Sequence, residues 1–185
     1  MSTTSKHGCY TIFMNDARNV VDHYKGMPIE QIIEDLDKNA IQLEIAVENL
    51  ERDFNMGTII RSANAFGVRT VHIIGRRQWN KRGAMMTDKY LHIVHHASVQ
   101  EFVLATKGKK LIAIDNTPDA TLLSENELPD ECILIFGAEG PGISAELRQT
   151  SERTIAIEQF GSTRSINVGV AAGIVMYEWL RQRAL

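Results

Sequence analysis

Three separated segments combine polar side chains with glycines in patterns that can support chemistry. The first, residues 55–67, begins with Asn55, which can cap a helix, and Gly57, which permits close approach of another backbone. Arg61 follows in the same helical pattern. An isolated arginine on an amphipathic helix is usually a solvated charge. The other interpretation is a cation that stabilises negative charge in a site, and this segment alone leaves both open.

The second segment, residues 133–143, is an apolar run that continues directly into a loop with three glycines and one acid, Glu139. Ligands of open α/β sheets bind at the carboxyl ends of strands, where such a loop lies. Its glycines expose backbone N–H and C=O groups that could contact an adenine or a ribose. The spacing matches neither a dinucleotide fingerprint nor a P-loop. A tight turn with a solvated Glu139 is the other interpretation.

The third segment, residues 155–173, is a strand pattern followed by a polar, glycine-bearing loop and a helix. Ser165 is predicted to cap this helix, and Asn167 to lie in its first turn, facing back toward the loop. Gly169 and Gly173 lie four residues apart and give the helix a thin face for close packing. Core packing explains most apolar residues of the helix, but it does not explain the polar loop before it.

The elements that must position these segments alternate between strand and helix periodicity. Strands are predicted at residues 41–47, 70–74, 92–95, 110–114, 132–136 and 154–157, and helices from Pro28 and at residues 55–66, 99–106, 144–149 and 165–183. This alternation predicts a single α/β domain with a mostly parallel sheet and helices on both faces. We divide the chain into an N-terminal arm and helix, residues 1–40, and the domain, residues 41–185. Residues 1–27 are polar and predict a loosely packed arm.

The composition is that of an ordinary folded protein, with 44% hydrophobic and 23% charged residues. Two cysteines that form no CxxC pair suit a reducing compartment. Neither a secretion signal nor an apolar run long enough to span a membrane is visible, so we expect a cytoplasmic protein. The net charge of −3 argues against a uniformly basic nucleic-acid binder. Residues 76–82 are locally basic, so any phosphate-binding surface would be a patch.

A histidine group, His92, His95 and His96, raises the question of a metal site. On a short strand His92 and His95 point to opposite faces, and no cysteine or acid completes a set of ligands. We therefore predict no metal and interpret these histidines as structural or surface residues.

Taken together, the three segments resemble the motifs of the SpoU (TrmH-like) methyltransferases of the SPOUT superfamily. The matching residues read Asn-x-Gly-x-x-x-Arg-x-Ala-Asn-Ala-Phe-Gly, Phe-Gly-x-Glu-Gly-x-Gly and Ser-Ile-Asn-Val-x-Val-Ala-Ala-Gly, in the family's order and spacing. The resemblance covers roughly residues 41–183. We refer below to these segments as motifs one, two and three.

The resemblance implies an enzyme that transfers a methyl group from S-adenosylmethionine to a ribose 2′-hydroxyl of tRNA or rRNA. It also implies a deep trefoil knot near the C-terminus, although knots are otherwise almost absent from proteins. Similar proteins are homodimers whose active site is completed across the interface. The C-terminal helix, with Gly169, Gly173, Val175, Met176 and Trp179, suits such an interface.

Residue by residue, the family's catalytic positions fall on Asn55, Arg61, Glu139, Ser165 and Asn167. Its cofactor contacts fall on Asp115, Asn116, Gly137, Ile157 and Ile166. The chain departs from the family where Glu158 and Gln159 replace a frequent Pro-Met pair and where Arg164 adds a cation. Both departures lie beside the expected pocket.

RNA contacts are predicted for the basic loop and for the additional cation, that is, for Arg76, Arg77, Trp79, Lys81, Arg82 and Arg164. The cations can meet phosphates and the indole of Trp79 can stack on a base. A solvated loop without a partner remains the other interpretation.

For the mechanism, we expect Arg61 to act as an electrostatic clamp, because arginine stays protonated in proteins and is a poor general base. It would stabilise the developing alkoxide and hold the neighbouring phosphate, while Glu139 and Asn167 orient it or the ribose. The alternatives are a SPOUT enzyme that methylates a base nitrogen, an RNA-binding assembly factor without catalysis, and a nucleotide-binding Rossmann enzyme. The last lacks the dinucleotide fingerprint.

Overall fold

The structure, a computed structural model, describes residues 16–49, 55–138 and 140–184. Those residues form a seven-stranded sheet of β1 (Leu43–Asn49), β2 (Thr70–Gly75), β3 (His92–His96), β4 (Leu111–Ile114), β5 (Thr121–Leu122), β6 (Cys132–Phe136) and β7 (Arg153–Ala156). The spatial order is β3-β2-β1-β6-β4-β7-β5, and every neighbouring pair is parallel. The predicted α/β fold with a mostly parallel sheet is confirmed.

Helices cover both faces of this sheet, and in the described residues they are α1 (Ile29–Lys38), α2 (Met56–Ala65), α3 (Val99–Ala105), α4 (Ala145–Gln149) and α5 (Val168–Ala184). Along β1, Ile45 and Val47 join the core under α2 and α5, whereas Ala46 joins the core under α3 and α4. This alternation follows from the pleat of the strand. Strand β6 is buried at every position, which explains its continuous apolar run.

The register of the parallel strands places the loops that follow β4, β6 and β7 at the same level. Phe136 at the end of β6 is paired with Val47 of β1 and with Ile114 of β4. Ile114 is in turn paired with Ile155 of β7. Because all these strands are parallel, their carboxyl ends share one edge, and the polar residues that follow them in sequence are collected there.

Helix α1 is tethered to the sheet by charge more than by burial, since Ile32 is its one buried residue. Asp37 accepts hydrogen bonds from Arg69 Nε at 2.7 Å and from His92 Nε2 at 3.0 Å. Residues 16–27 contact one another: the Arg18 guanidinium pairs with Asp16, and Lys25 Nζ donates to the Arg18 carbonyl at 2.8 Å. Residues 1–15 of the predicted arm lie outside the described residues.

The C-terminal helix α5 presents a different face from the one expected for an interface. Val175, Met176 and Trp179 are buried in the core of their own protomer, so they cannot also form a dimer contact. The expectation based on them is wrong. The apolar side chains that α5 leaves exposed lie at spacings of four and three residues and are Val170, Ile174 and Tyr177. None of the described helices is long and apolar enough to cross a membrane.

Candidate active site

An open cleft of about 250 Å³ lies at the carboxyl ends of β4, β6 and β7. It is lined by Ile114, Asp115, Asn116, Phe136, Gly137, Ala138, Gly140, Gly142, Ile157, Gln159, Ser165, Ile166, Asn167, Val168 and Ala171. All five residues expected to contact a cofactor are among them, as are Ser165 and Asn167 of the expected catalytic set. The structure thus brings together residues more than fifty positions apart in the sequence.

The motif-two loop after β6 folds back on itself to form one wall of the cleft. Ala138 and Gly142 exchange backbone hydrogen bonds of 3.2 and 3.1 Å. A Cβ at Gly137 would lie 2.1 Å from the Gly142 carbonyl carbon, so only glycine fits at this crossing. Gly140 and Gly142 have φ of +98° and +72°, in the left-handed region that favours glycine. Glu139, the expected catalytic acid of this loop, lies outside the described residues.

Two carboxylates hold the far end of that loop. Asp115 Oδ2 accepts from the Ile143 amide at 3.1 Å, and its Oδ1 accepts from the Asn116 amide at 2.8 Å. Glu48 is buried and accepts from the Ser144 amide at 2.7 Å. Asp115 therefore both lines the cleft and fixes its wall. Sequence reasoning missed Glu48, because an acid inside a strand pattern carries no signal of a distant backbone partner.

The loop that precedes α5 is fastened at both ends. Glu158 Oε1 accepts from the Ser124 amide at 2.8 Å. The Ser124 side chain, and to a smaller extent this amide, lower the pKa of Glu158 by hydrogen bonding. Asn116 Nδ2 donates to the Arg164 carbonyl at 2.7 Å. Residues 160–163 between these points are exposed, and the Phe160 ring is 97% accessible. Arg164 is also exposed, so its guanidinium is available to a ligand at the mouth of the cleft.

Asn167 links motif three to motif one. Its Oδ1 accepts from the amides of Gly169 at 3.0 Å and Val170 at 3.3 Å, so Asn167 is the N-cap of α5. The prediction that Ser165 caps this helix is wrong: Ser165 is exposed and lines the cleft instead. Asn167 Nδ2 donates to Asn55 Oδ1 at 2.9 Å. Asn55 occupies the N-cap position of α2 but makes no side-chain cap hydrogen bond there.

Arg61 lies on α2, outside the residues that line the cleft. Its side chain is exposed, and no residue in ranges 16–49, 55–138 and 140–184 forms a hydrogen bond or ion pair with it. Within one protomer, the structure therefore does not join Arg61 by a hydrogen bond to Asn55, Ser165 or Asn167. An exposed guanidinium can meet a large anionic ligand or a second chain.

The basic loop after β2 lies directly on the first turn of α2. A Cβ at Gly57 would lie 2.7 Å from the Ala84 amide nitrogen, so this glycine permits the contact. The Trp79 ring is half-buried against the core, and Lys81 Nζ lies 5.4 Å from its centroid. This position limits the stacking on a base that we expected of Trp79. The cations expected to contact RNA in this loop are exposed, namely Arg76, Arg77, Lys81 and Arg82.

The histidines have structural partners. His92 pairs with Asp37, and His95 Nε2 contacts the Gly75 carbonyl at 2.8 Å. His96 Nε2 lies 2.9 Å from His72 Nδ1, and His72 Nε2 contacts Glu44 at 2.8 Å. In the part of the chain that the structure describes, no three such side chains group as metal ligands.

With this geometry established, comparison with known proteins places the chain in a family. A family model described as the SpoU rRNA methylase family matches residues 42–177, most of the chain. The chain belongs to this family. An uncharacterized tRNA/rRNA methyltransferase of Mycolicibacterium paratuberculosis is 32% identical over 150 residues, which are 76% of this chain and 48% of that protein. The tRNA (guanosine(18)-2′-O)-methyltransferase of Escherichia coli is 27% identical over 158 residues, 83% of this chain and 69% of that protein.

Among solved structures, the SpoU methyltransferase AviRb from Streptomyces viridochromogenes, in complex with the cofactor AdoMet, is similar with a TM-score of 0.68 and 25% identity. The match covers 76% of this chain and 57% of AviRb. The chain thus spans about half the length of the mycobacterial relative and of AviRb. What these SpoU family members share with the chain is the domain that carries the cleft.

One polar group of this SpoU domain was not expected to matter. The amide oxygen of Gln159 is buried at the cleft and has no hydrogen-bond partner among the described residues. Gln159 stands where the family often has methionine, so the resemblance gave no role for an acceptor there. A buried polar atom without a partner is costly unless a ligand satisfies it.

Proposed function

We propose that this chain is an S-adenosylmethionine-dependent RNA methyltransferase that modifies a ribose 2′-hydroxyl of tRNA or rRNA. The observation that carries the proposal is the cleft between the motif-two and motif-three loops, joined to motif one through the Asn167–Asn55 hydrogen bond. The AdoMet-bound AviRb and the tRNA 2′-O-methyltransferase of Escherichia coli support the cofactor and the target atom. An RNA substrate also supports a cytoplasmic enzyme.

The residues of the cleft fit an adenosyl group. Ile114, Phe136 and Ile157 offer apolar side chains for the faces of a purine. The backbone around Gly137 offers hydrogen-bonding groups, and the buried oxygen of Gln159 offers an acceptor without a partner among the described residues. The apolar groups would exclude water, and the polar groups would fix the orientation, as in most small-molecule sites.

Bound S-adenosylmethionine supplies a methyl group on a sulfonium, which is an excellent leaving group. The protein must therefore act mainly on the nucleophile. We propose that Arg61 keeps its proton, stabilises negative charge as the ribose hydroxyl is deprotonated, and holds the adjacent phosphate, which accepts the proton. Asn167 and Asn55 would hold the ribose side of the site, with Ser165 at the mouth of the cleft. Glu139 would orient the ribose or Arg61.

A homodimer would complete this site. The exposed position of Arg61, away from the cleft of its own chain, supports its contribution to the partner's site. The stripe of Val170, Ile174 and Tyr177 supports an interface through α5, because one helical face carries three apolar side chains that are 53%, 40% and 50% exposed. We also propose that the motif-two and motif-three loops form the trefoil knot that the family resemblance implies.

Methyl transfer to RNA tests the function. Purified protein, labelled S-adenosylmethionine and unmodified tRNA or rRNA transcripts should yield a 2′-O-methylnucleoside on digestion and mass spectrometry. A methyl group on a base nitrogen would overturn the ribose assignment. Cofactor binding by calorimetry without methyl transfer to any cellular RNA would indicate an assembly factor instead.

Arg61→Ala tests the clamp. Losing one preorganised donor typically lowers turnover about 100- to 1,000-fold. We expect this loss with cofactor affinity changed by no more than a few-fold, because Arg61 does not line the cleft. Arg148→Ala, on the opposite face of the sheet, is the matched control and should remain active. Near-wild-type turnover of Arg61→Ala would reject the role.

Subunit mixing tests the shared site. Arg61→Ala chains and Gly137→Val chains should each be inactive as homodimers. In a 1:1 mixture that re-equilibrates, half of the dimers are mixed and each carries one intact site, so roughly a quarter of the activity should return. No recovery despite exchange, or a monomer by light scattering at micromolar concentration, would overturn the shared site.

A further inference from the structure

A four-residue turn, residues 84–87, follows the basic loop and exposes two adjacent methionines. Ala84 and Thr87 are buried, and Thr87 Oγ1 donates to the Ala84 carbonyl at 2.7 Å, which closes the turn. Between them, the side chains of Met85 and Met86 are 53% and 55% exposed. The two apolar side chains therefore project from a fixed base instead of from a loose loop.

The backbone of this turn does not suit methionine. Met85 has φ +48° and ψ +40°, and Met86 has φ +65° and ψ +8°. These angles lie near those of a type I′ turn, for which asparagine and glycine are the favoured residues. Met85 and Met86 are the non-glycine residues with positive φ in the described parts of the chain. Local preference therefore does not explain the methionines, and a role for their exposed side chains does.

The turn is also close to the residues that join motifs one and three. A Cβ at Gly83 would lie 3.1 Å from the Thr58 amide nitrogen on α2. A Cβ at Gly169 would lie 3.1 Å from both Thr58 Cγ2 and Asn167 Oδ1. Thr58 thus lies next to Gly83, the residue before the turn, and next to Gly169 at the start of α5. A polymer that reaches the Asn167–Asn55 pair from this side would pass near the turn.

The sequence around the turn is rich in basic residues. Exposed basic side chains flank it in sequence on both sides, namely Arg76, Arg77, Lys81, Arg82 and Lys89. One acid, Asp88, is half-buried and pairs with Lys81 at 2.8 Å. An apolar tip next to exposed cations complements a nucleic acid, whose phosphates meet the cations while its bases accept the apolar groups. Trp79 suits that role less well, because part of its ring packs against the core.

We propose that Met85 and Met86 form a wedge that inserts between bases of the RNA substrate next to the target ribose. The proposal rests on the proposed function, since it takes RNA as the partner. Unbranched methionine side chains fill irregular gaps and are used in nucleic-acid binders to separate stacked bases. Separating a base from its neighbour exposes the ribose between them to the cleft. The cations hold the backbone while the wedge acts.

Replacing the wedge with the residues that the turn prefers tests this role. The double variant Met85→Asn with Met86→Gly should melt at the same or a higher temperature than the wild type, because it relieves the left-handed strain. Its affinity for a fluorescein-labelled, unmodified tRNA transcript should nevertheless fall at least about fivefold, as expected when an apolar contact of roughly 1 kcal/mol is lost.

Salt dependence separates the wedge from the cations. Arg82→Ala should reduce the slope of log Kd against log salt concentration by about one, because one fewer phosphate is neutralised. The methionine variant should keep the wild-type slope. Leu104→Ala removes another exposed apolar side chain, on α3, and is the matched control. It should bind the tRNA as the wild type does. In a tRNA with 2-aminopurine beside the methylated nucleotide, the fluorescence rise on binding should require the methionines.

The outcomes are distinct. Unchanged tRNA affinity and unchanged 2-aminopurine signal in the methionine variant would overturn the wedge, even if the wild type methylates RNA. A changed oligomeric state without a change in RNA binding would assign the turn to a second copy of the chain and also overturn it. A wild type that transfers no methyl group, but whose tRNA affinity depends on the two methionines, would reject the proposed function and leave the RNA contact of the methionines standing.

Discussion

Asn167 Nδ2 donates a hydrogen bond to Asn55 Oδ1 across 2.9 Å, although 112 residues separate the two in sequence. The same side chain caps helix α5 through its Oδ1. One amide therefore sets the start of the last helix and ties it to the helix that carries Arg61. Its two functions use different atoms, so they can be separated by substitution.

Asn167→Asp should separate capping from the link between the motifs. A carboxylate still caps α5 but cannot donate to Asn55, so we expect unfolding within a few tenths of a kcal/mol of the wild type and turnover lowered about 100-fold. Asn167→Ala loses both functions, and its free energy of unfolding should be about 1 kcal/mol lower than that of the Asp variant. Urea unfolding and methyl-transfer rates measure the two effects. Full activity of the Asp variant would show that the link is not needed.

Gln159→Leu should lower the affinity for the cofactor without lowering the stability of the protein. Leucine removes the buried amide oxygen that has no partner among the described residues, so the melting temperature without ligand should rise or stay unchanged. Binding of S-adenosylhomocysteine by calorimetry should weaken about tenfold, the equivalent of one net hydrogen bond of roughly 1.4 kcal/mol. Gln149→Leu, at an exposed position on α4, is the control and should leave binding unchanged. Equal affinities would mean that Gln159 does not contact the ligand.

Gly57→Ala should displace the basic loop from α2. The added Cβ would lie 2.7 Å from the Ala84 nitrogen and 2.8 Å from Gly83 Cα, and backbone atoms cannot move aside as a side chain can. We expect a loss of about 1–3 kcal/mol in the free energy of unfolding, together with weaker tRNA binding. Ser62→Ala, on the same helix, adds no atom and should change neither. A Gly57→Ala protein as stable as the wild type would contradict the close contact.

Acid should destabilise the protein through His96. Burial, followed by the charge of His72, lowers the pKa of His96 below its ordinary value of 6.5. Because the folded pKa is lowered, the unfolded chain takes up a proton first, and stability falls as pH drops below about 6.5. His95 acts in the same direction, and Glu101 opposes it. Urea unfolding between pH 8 and pH 5 should show this loss.

His96→Gln is the test of that assignment, since glutamine retains hydrogen-bonding capacity without titrating. Its stability should change less than that of the wild type between pH 8 and pH 5. Burial raises the pKa of Glu44, but its hydrogen bonds to His72 and Lys109 lower it further, so the net pKa is lowered. The stability that Glu44 provides is therefore lost only below its ordinary pKa of 4.5, outside this pH range. An identical pH slope in the glutamine variant would assign the acid sensitivity to other groups.

The turn at Met85 and Met86 and the partial burial of Trp79 are features that sequence patterns do not reveal. Two methionines are not a turn signal, so nothing in the sequence indicated left-handed backbone there. A tryptophan among cations predicts stacking on bases, and the sequence does not reveal that part of the ring packs against the core. The predicted cap of α5 was wrong for a simpler reason. Ser165 and Asn167 are both good N-cap residues, and only the path of the loop decides which of them caps the helix.

The sequence by itself determined the fold class and the family. Apolar runs of strand length alternate with amphipathic helices, and that periodicity is a local property that survives in any tertiary arrangement. The family resemblance likewise names Asp115, Gly137 and Asn167 without a structure. Only the tertiary structure decided that they meet in one cleft, because the strand order and register that align Ile114, Phe136 and Ile155 depend on contacts between distant residues. It also decided which apolar side chains remain exposed, since burial is set by what packs against each helix and not by the residue alone.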